Sequence, residues 1–231
     1  MKTHSRVCFL SLGRVCVILG TLVFADNASS KQDSLVNWLA SAEQGNASAQ
    51  YNLGLIYELG SGVKPDIVLA AHWYEKAARQ EHVQAQYNLA TLLHHGRGVT
   101  KDLNAAATWY EKAATRGHVT AQASLGFLFA EESSTLKDYS KAQYWLTRAA
   151  KLGYPEAQFN LGLLWATGRG AEVNLIQAYA WFDLAAKNNY ANAQKSRDVA
   201  ARRLAFKETE EAKALAKHYF QLYFRVAVKS P

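Results

Sequence analysis

Apolar and polar positions fall along this chain in a rhythm that returns every 36 residues without insertion. From residue 47 to 59, a wheel of about 100° per residue centred on Leu53 gathers Ala49, Gln50, Ile56 and Tyr57 on one half, a stripe suited to burial. Ser48, Tyr51, Leu55 and Glu58 fall on the opposite half. A polar, glycine-bearing interruption follows, and a second helix is predicted over residues 66–80. One step onward, Ala49-Gln50 becomes Ala85-Gln86, then Ala121-Gln122, Ala157-Gln158 and Ala193-Gln194. Trp73, Trp109, Trp145 and Trp181 keep the same step, as do Ala77-Ala78, Ala113-Ala114, Ala149-Ala150 and Ala185-Ala186. Two helices per unit at a fixed period predict an all-α solenoid, in which each unit is too small to bury its own apolar face and leans on its neighbours.

The residues between helices support this division. Gly60, Gly96 and Gly168 stand where a helix end commonly turns left-handed. Asp66, Asp102, Asp138 and Asn174 then stand as N-caps, with Asn174 and Gln177 placed for a reciprocal capping box. The third unit departs from the pattern, since Glu132 and Ser134 replace both loop glycines; its loop is expected to take another shape. Gly54, Ala90, Gly126 and Gly162 recur inside the first helix, where glycine costs about 1 kcal/mol relative to alanine, so their small size points to close helix approach.

The ends read differently. Residues 1–25 have the form of a secretory signal: Lys2, Arg6 and Arg14 make a basic start, residues 15–23 are apolar, and Val23-Phe24-Ala25 ends in a small residue. Cleavage is predicted after Ala25, with an uncleaved anchor as the alternative. Both cysteines, Cys8 and Cys16, lie in this segment, so the mature chain would carry no thiol for a disulfide or for cysteine catalysis. Removing it takes three basic and no acidic residues from the 26 and 19, and the net charge falls from +7 to +4. These charges are spread along helices, which does not call for a nucleic-acid partner. Residues 26–44 are expected to hold a loose polar lead-in and a capping helix over 35–44, opened by Asp33 or Ser34. Residues 189–231 are expected to form a half-repeat and a capping helix. Arg197 and Asp198 stand where the previous unit has Leu161 and Gly162, so stacking stops there. The last helix, predicted over 207–226, carries Ala212, Leu215, Ala216, Tyr219 and Tyr223 on one side, beside Phe220 and Phe224; it suits a terminal cap, or a self-association surface.

Taken in register, A-x-A-Q-Y-N-L-G from Ala47, G-x-G-V-x-x-D from Gly60 and W-Y-E-K-A-A from Trp73 resemble the Sel1-like repeat family, a relative of the tetratricopeptide repeats. The resemblance covers four uninterrupted units, residues 45–80, 81–116, 117–152 and 153–188. It implies a right-handed αα-superhelix with terminal capping helices, which holds other proteins as an adaptor.

Candidate chemistry is thin. Ser134-x-x-Lys137 matches the S-x-x-K of penicillin-recognising enzymes, but neither S-D-N nor K-T-G occurs. Gly96-x-Gly98 and Gly168-x-Gly170 lack the strand and the third glycine of a phosphate loop. His94-His95 is the one tempting metal pair, yet adjacent helical residues diverge by about 100° and no further ligand stands at spacing on that turn. His82 and His118 share one repeat position that reads as structural. No cofactor, no metal and no catalytic residue is therefore expected, and the working surface is the inner face of the first helices. Its rows are Tyr51, Tyr87, Ala123 and Phe159; Leu55, Thr91, Phe127 and Leu163; and Glu58, His94, Ala130 and Ala166. Such apolar rows suit an extended segment or helix of a protein partner; the first row serves packing between repeats equally well. The expected function is a non-enzymatic secreted or periplasmic scaffold without a membrane span in its mature form. A periplasmic regulator of a membrane sensor and a cell-wall hydrolase are the alternatives.

Overall fold

The computed structural model describes residues 26–224, with side chains from residue 35 onward. Among the described residues the chain is helix and loop without a strand: α1 (Asp26–Glu43), α2 (Ala47–Leu59), α3 (Ile67–Arg79), α4 (Val83–His95), α5 (Leu103–Thr115), α6 (Val119–Ala130), α7 (Tyr139–Lys151), α8 (Pro155–Thr167), α9 (Leu175–Lys187), α10 (Ala193–Arg202) and α11 (Phe206–Tyr219). A π-helical turn, Phe220–Phe224, follows α11. The segment expected to be a secretory signal, residues 1–25, lies outside the described residues.

Each even-numbered helix from α2 to α8 packs on the odd-numbered helix that follows it, and each of those packs on the next unit's first helix. Leu53, Leu89, Leu125 and Leu161, at most 4% exposed, fill one repeated core position; full burial of such a side chain is worth about 2 kcal/mol. The predicted N-caps form: Asp66, Asp102, Asp138 and Asn174 accept from the backbone N–H three residues on at 2.9–3.0 Å. Small residues in the first helices allow the second helices to come close. A Cβ on Gly54 would stand 2.4 Å from the Tyr74 ring, one on Gly126 2.7 Å from Leu146, and one on Gly162 2.7 Å from Phe182. The second loop glycine touches the preceding repeat: with a positive φ, Gly170 lies against the Tyr139 carbonyl, where a Cβ would be 2.7 Å from its oxygen. Ser134 holds that position in the third loop. There the chain leaves α6 extended at Glu131 instead of left-handed, and Ser134 is buried with its Oγ accepting from Leu136 N.

A polar ladder runs through the array. The buried side chains of Gln50, Gln86, Gln122 and Gln158 donate Nε2 to the carbonyls of Ala42, Ala78, Ala114 and Ala150 at 3.0–3.2 Å, tying the start of each first helix to the preceding helix.

Three expectations need correction. Helix α1 runs back to Asp26, so residues 26–32 are helical instead of a loose lead-in; that stretch contains neither glycine nor proline to stop a helix. The capping box at Asn174 does not close, because Gln177 Oε1 accepts from Tyr219 OH at 2.8 Å instead. The last helix is not α-helical throughout: it is α-helical to Tyr219 and widens to π geometry over Phe220–Phe224, and residues 225 and 226 lie outside the described residues.

Both terminal helices pack on α9. Ala212 and Ala216 are buried on α11, and Trp181 meets the rings of Tyr219 and Tyr223 at 4.5 and 5.7 Å. From α10, Arg197 reaches the buried carboxylate of Asp183 at 3.1 Å, which Lys187 also pairs at 2.7 Å. Arg197 stands where earlier units bury a leucine.

Candidate functional site on the inner face

The aromatic side chains of the first row are each held by the residue that opens the next unit. Tyr51 stacks on His82 with ring centroids 4.5 Å apart, Tyr87 on His118 at 4.7 Å, and Phe159 meets Tyr190 at 5.1 Å. His82 and His118 are the N-caps of α4 and α6, their Nδ1 atoms accepting from Ala85 N and Ala121 N. Where the row has Ala123, the opposing position carries the bulkier Tyr154, packed in the same cluster. Each first-row side chain is thus seated against the residue that opens the next unit. Burial pulls both capping imidazoles below their ordinary pKa, which keeps the acceptor nitrogen free of a proton.

The second row is mixed. Leu55 and Phe127 are half-buried against the cores, and Thr91 donates to Tyr87 O at 3.0 Å while accepting from Tyr110 OH at 3.2 Å. Burial pushes the Tyr110 hydroxyl up to about 12, so it remains a donor. Leu163 is 37% exposed, the most open aliphatic of the row. In the third row, Glu58 accepts from Tyr74 OH at 2.7 Å and pairs with Arg97 at 3.5 Å across the repeat boundary. His94 stacks in parallel on His95 at 4.7 Å and meets Tyr110 edge-on, and burial lowers its pKa. The two imidazoles come together, against the divergence expected for adjacent helical residues, but face to face. No cluster of three metal-ligating side chains occurs among the described residues.

Lys137 and Ser134 are not assembled as base and nucleophile. The lysine pairs with Glu132 at 3.2 Å, and Glu132 also binds Tyr139 OH and, at 2.9 Å, Arg169 of the next loop. These contacts hold the Glu132 carboxyl below its usual range, the Tyr139 hydroxyl bond first among them.

At the C-terminal end of the second row, Leu163 borders a cavity of about 200 Å³ with Phe182, Val199 and Ala200, rimmed by Lys195 and Arg203. The residues from α10 were missed by sequence reasoning, although Val199 lies one step beyond Leu163 and Lys195 one step beyond Phe159. Treating α10 as the end of stacking hid that it still extends the rows.

Paired helices stacked unit on unit around continuous apolar layers define an αα-solenoid of repeats. The Sel1 repeat profile matches residues 47–82, 83–118, 119–154 and 155–190, and the chain belongs to the Sel1 repeat family. These boundaries begin each unit two residues later than the division read from the sequence. A Sel1 repeat protein from Oxalobacter formigenes is 28% identical over 85% of this chain and 81% of its own, with a TM-score of 0.68. A protective antigen present in uropathogenic Escherichia coli strains, displaying an SLR fold, is 31% identical over 85% of this chain with a TM-score of 0.51. This chain spans 50% of that antigen's solved chain. No curated protein matches. Sel1 repeats generally mediate protein–protein interaction.

Proposed function

We propose that this protein is a non-enzymatic scaffold, secreted or periplasmic after cleavage at Ala25, that holds one protein partner along its inner face. The observation that carries this reading is the end of the second row. Leu163 and Val199 remain 37% and 49% exposed beside an apolar cavity with a basic rim. Burying such side chains under a partner removes apolar area from water, and a pocketed apolar anchor is the usual centre of an interface. Lys195 and Arg203 favour an acidic residue next to that anchor. The packed aromatic rows behind it supply a rigid wall, which lowers the ordering cost of binding. No helix among the described residues is long and apolar enough to cross a membrane.

A photo-crosslinking residue at position 163, in the full chain expressed in its own host, is expected to capture a discrete partner. The double variant Leu55→Lys, Leu163→Lys is expected to lose it while still folding. Capture of the same partner, undiminished, by the double variant would overturn the inner-face assignment. The mass of the mature protein tests the cleavage: a chain that retains residues 1–25 removes that part of the reading.

A further inference from the structure

A different surface, beside α7 in the third repeat, carries a second site. Gln122 is 2% exposed, and its Nε2 is used by Ala114 O, but its Oε1 is buried without a hydrogen-bond partner. In the first and fourth repeats the equivalent oxygens are satisfied by a carboxamide: Gln80 Nε2 donates to Gln50 Oε1 at 2.7 Å, and Asn188 Nδ2 to Gln158 Oε1 at 2.9 Å. Both donors are C-cap residues of a second helix, at φ −91°, ψ 20° and φ −89°, ψ 16°. The third repeat has Leu152 at that place with the same backbone, φ −85°, ψ 9°, so a donor is missing from an otherwise identical frame. In the second repeat Gln86 Oε1 is also unpartnered, but Arg116 turns away to Glu81, binding its carbonyl at 2.8 Å and its carboxylate at 2.6 Å.

Among the described residues, Gln122 lines a cavity of about 650 Å³ together with Gln143, Tyr144, Arg148, Lys151 and Leu152, whereas Gln86 lines one of about 250 Å³ that already holds the Glu81 carboxylate beside Arg116. The larger is within the range of ligand pockets. No acidic residue lines it, and neither Arg148 nor Lys151 pairs with a carboxylate among the described residues. A buried carbonyl oxygen without a donor is costly, so an occupant that supplies an N–H gains more there than at a solvated acceptor. The two cations disfavour an ammonium donor and favour an anion nearby. We propose that this cavity binds a peptide segment carrying an asparagine or glutamine side chain beside a carboxylate. The carboxamide takes the place of Gln80 and Asn188 against Gln122 as Leu152 moves aside, and the carboxylate meets Arg148 and Lys151.

The probe is acetyl-Asn-Glu-amide, titrated into the ¹⁵N-labelled full chain and followed at the Gln122 side-chain amide. A saturable shift is expected there, with acetyl-Leu-Glu-amide binding about fivefold more weakly for the lost hydrogen bond. Leu152→Asn, which supplies the carboxamide internally, is expected to abolish the response while the protein keeps or raises its Tm. Arg148→Gln is expected to weaken the Asn-Glu probe about tenfold, the effect of one charge-assisted contact. Equal affinity for the two probes, a Gln122 amide that does not respond, or undiminished binding by Leu152→Asn or by Arg148→Gln would each overturn the assignment.

Discussion

The terminal repeats, first and fourth, and the central repeats, second and third, bury the same glutamine against the same helix end, yet only the terminal pair completes its bonding. Gln50 and Gln158 use both ends of the carboxamide, whereas Gln86 and Gln122 leave an oxygen unpaired. The difference rests on one residue 30 positions on, Gln80 and Asn188 in one set, Arg116 and Leu152 in the other. Near-identical repeats therefore differ in how this buried carboxamide is satisfied. The central pair also opens its first helices with histidines, where the first repeat uses Asn46 and the fourth has Tyr154 with no side-chain cap bond.

The largest expected effect concerns helix spacing. Gly162→Ala in the fourth repeat drives a methyl group into Phe182, and overpacking outweighs the gain in helix propensity. A loss of about 2 kcal/mol is expected in urea unfolding. The second repeat already carries Ala90 opposite Tyr110, so Ala90→Gly is expected to lose only about 1 kcal/mol. Equal costs at both sites would mean that the repeats do not differ in spacing.

A smaller effect separates the glutamines. Gln158→Leu strands the Asn188 amide and is expected to cost about 1 kcal/mol more than Gln122→Leu, which deletes an oxygen that had no partner. The carbonyls they serve keep their bonds from Gly153 N and Gly117 N in either variant. Equal losses would show that water satisfies Gln122 as well as Asn188 satisfies Gln158.

The smallest is a pH effect confined to the central repeats. Because folding depresses the pKa of His82 and His118, the unfolded chain binds protons more readily, and protonation removes the acceptor that caps each helix. This contribution is fully present above the unfolded value of about 6.5 and is lost as pH falls from there through the lowered folded value. About 0.5 kcal/mol per cap is expected from urea midpoints, and His82→Asn with His118→Asn is expected to remove that part of the pH dependence.

Much of this architecture was legible in the sequence because the step exposes it. The asparate caps, the buried leucines and the alanine pairs all fall where sliding the chain by one unit puts them. Interactions that depend on a partner outside the step were not legible. Gln177 could be assigned to Asn174 from local spacing alone, but Tyr219, 42 residues away, takes its oxygen. The absence of glycine and proline from residues 26–34 permits a helix there but does not require one, so the continuation of α1 could not be read from that stretch alone. The first row was legible as a repeated position but not as contacts, since the ring partners of Tyr51 and Tyr87 open the following unit. Alternation of size between Ala123 and Tyr154 was the available clue.

The ion pair between Arg197 and Asp183 bears on how long such an array can be. A chain cut after α9 would leave that buried acid facing α10's empty berth, with Lys187 as its sole counter-charge; a chain given a fifth full unit would have to seat it against an arginine and an aspartate in place of leucine and glycine. Removal of α10 and addition of a full unit in its place are thus both penalised at this junction, whereas units exchanged within the array would leave it untouched.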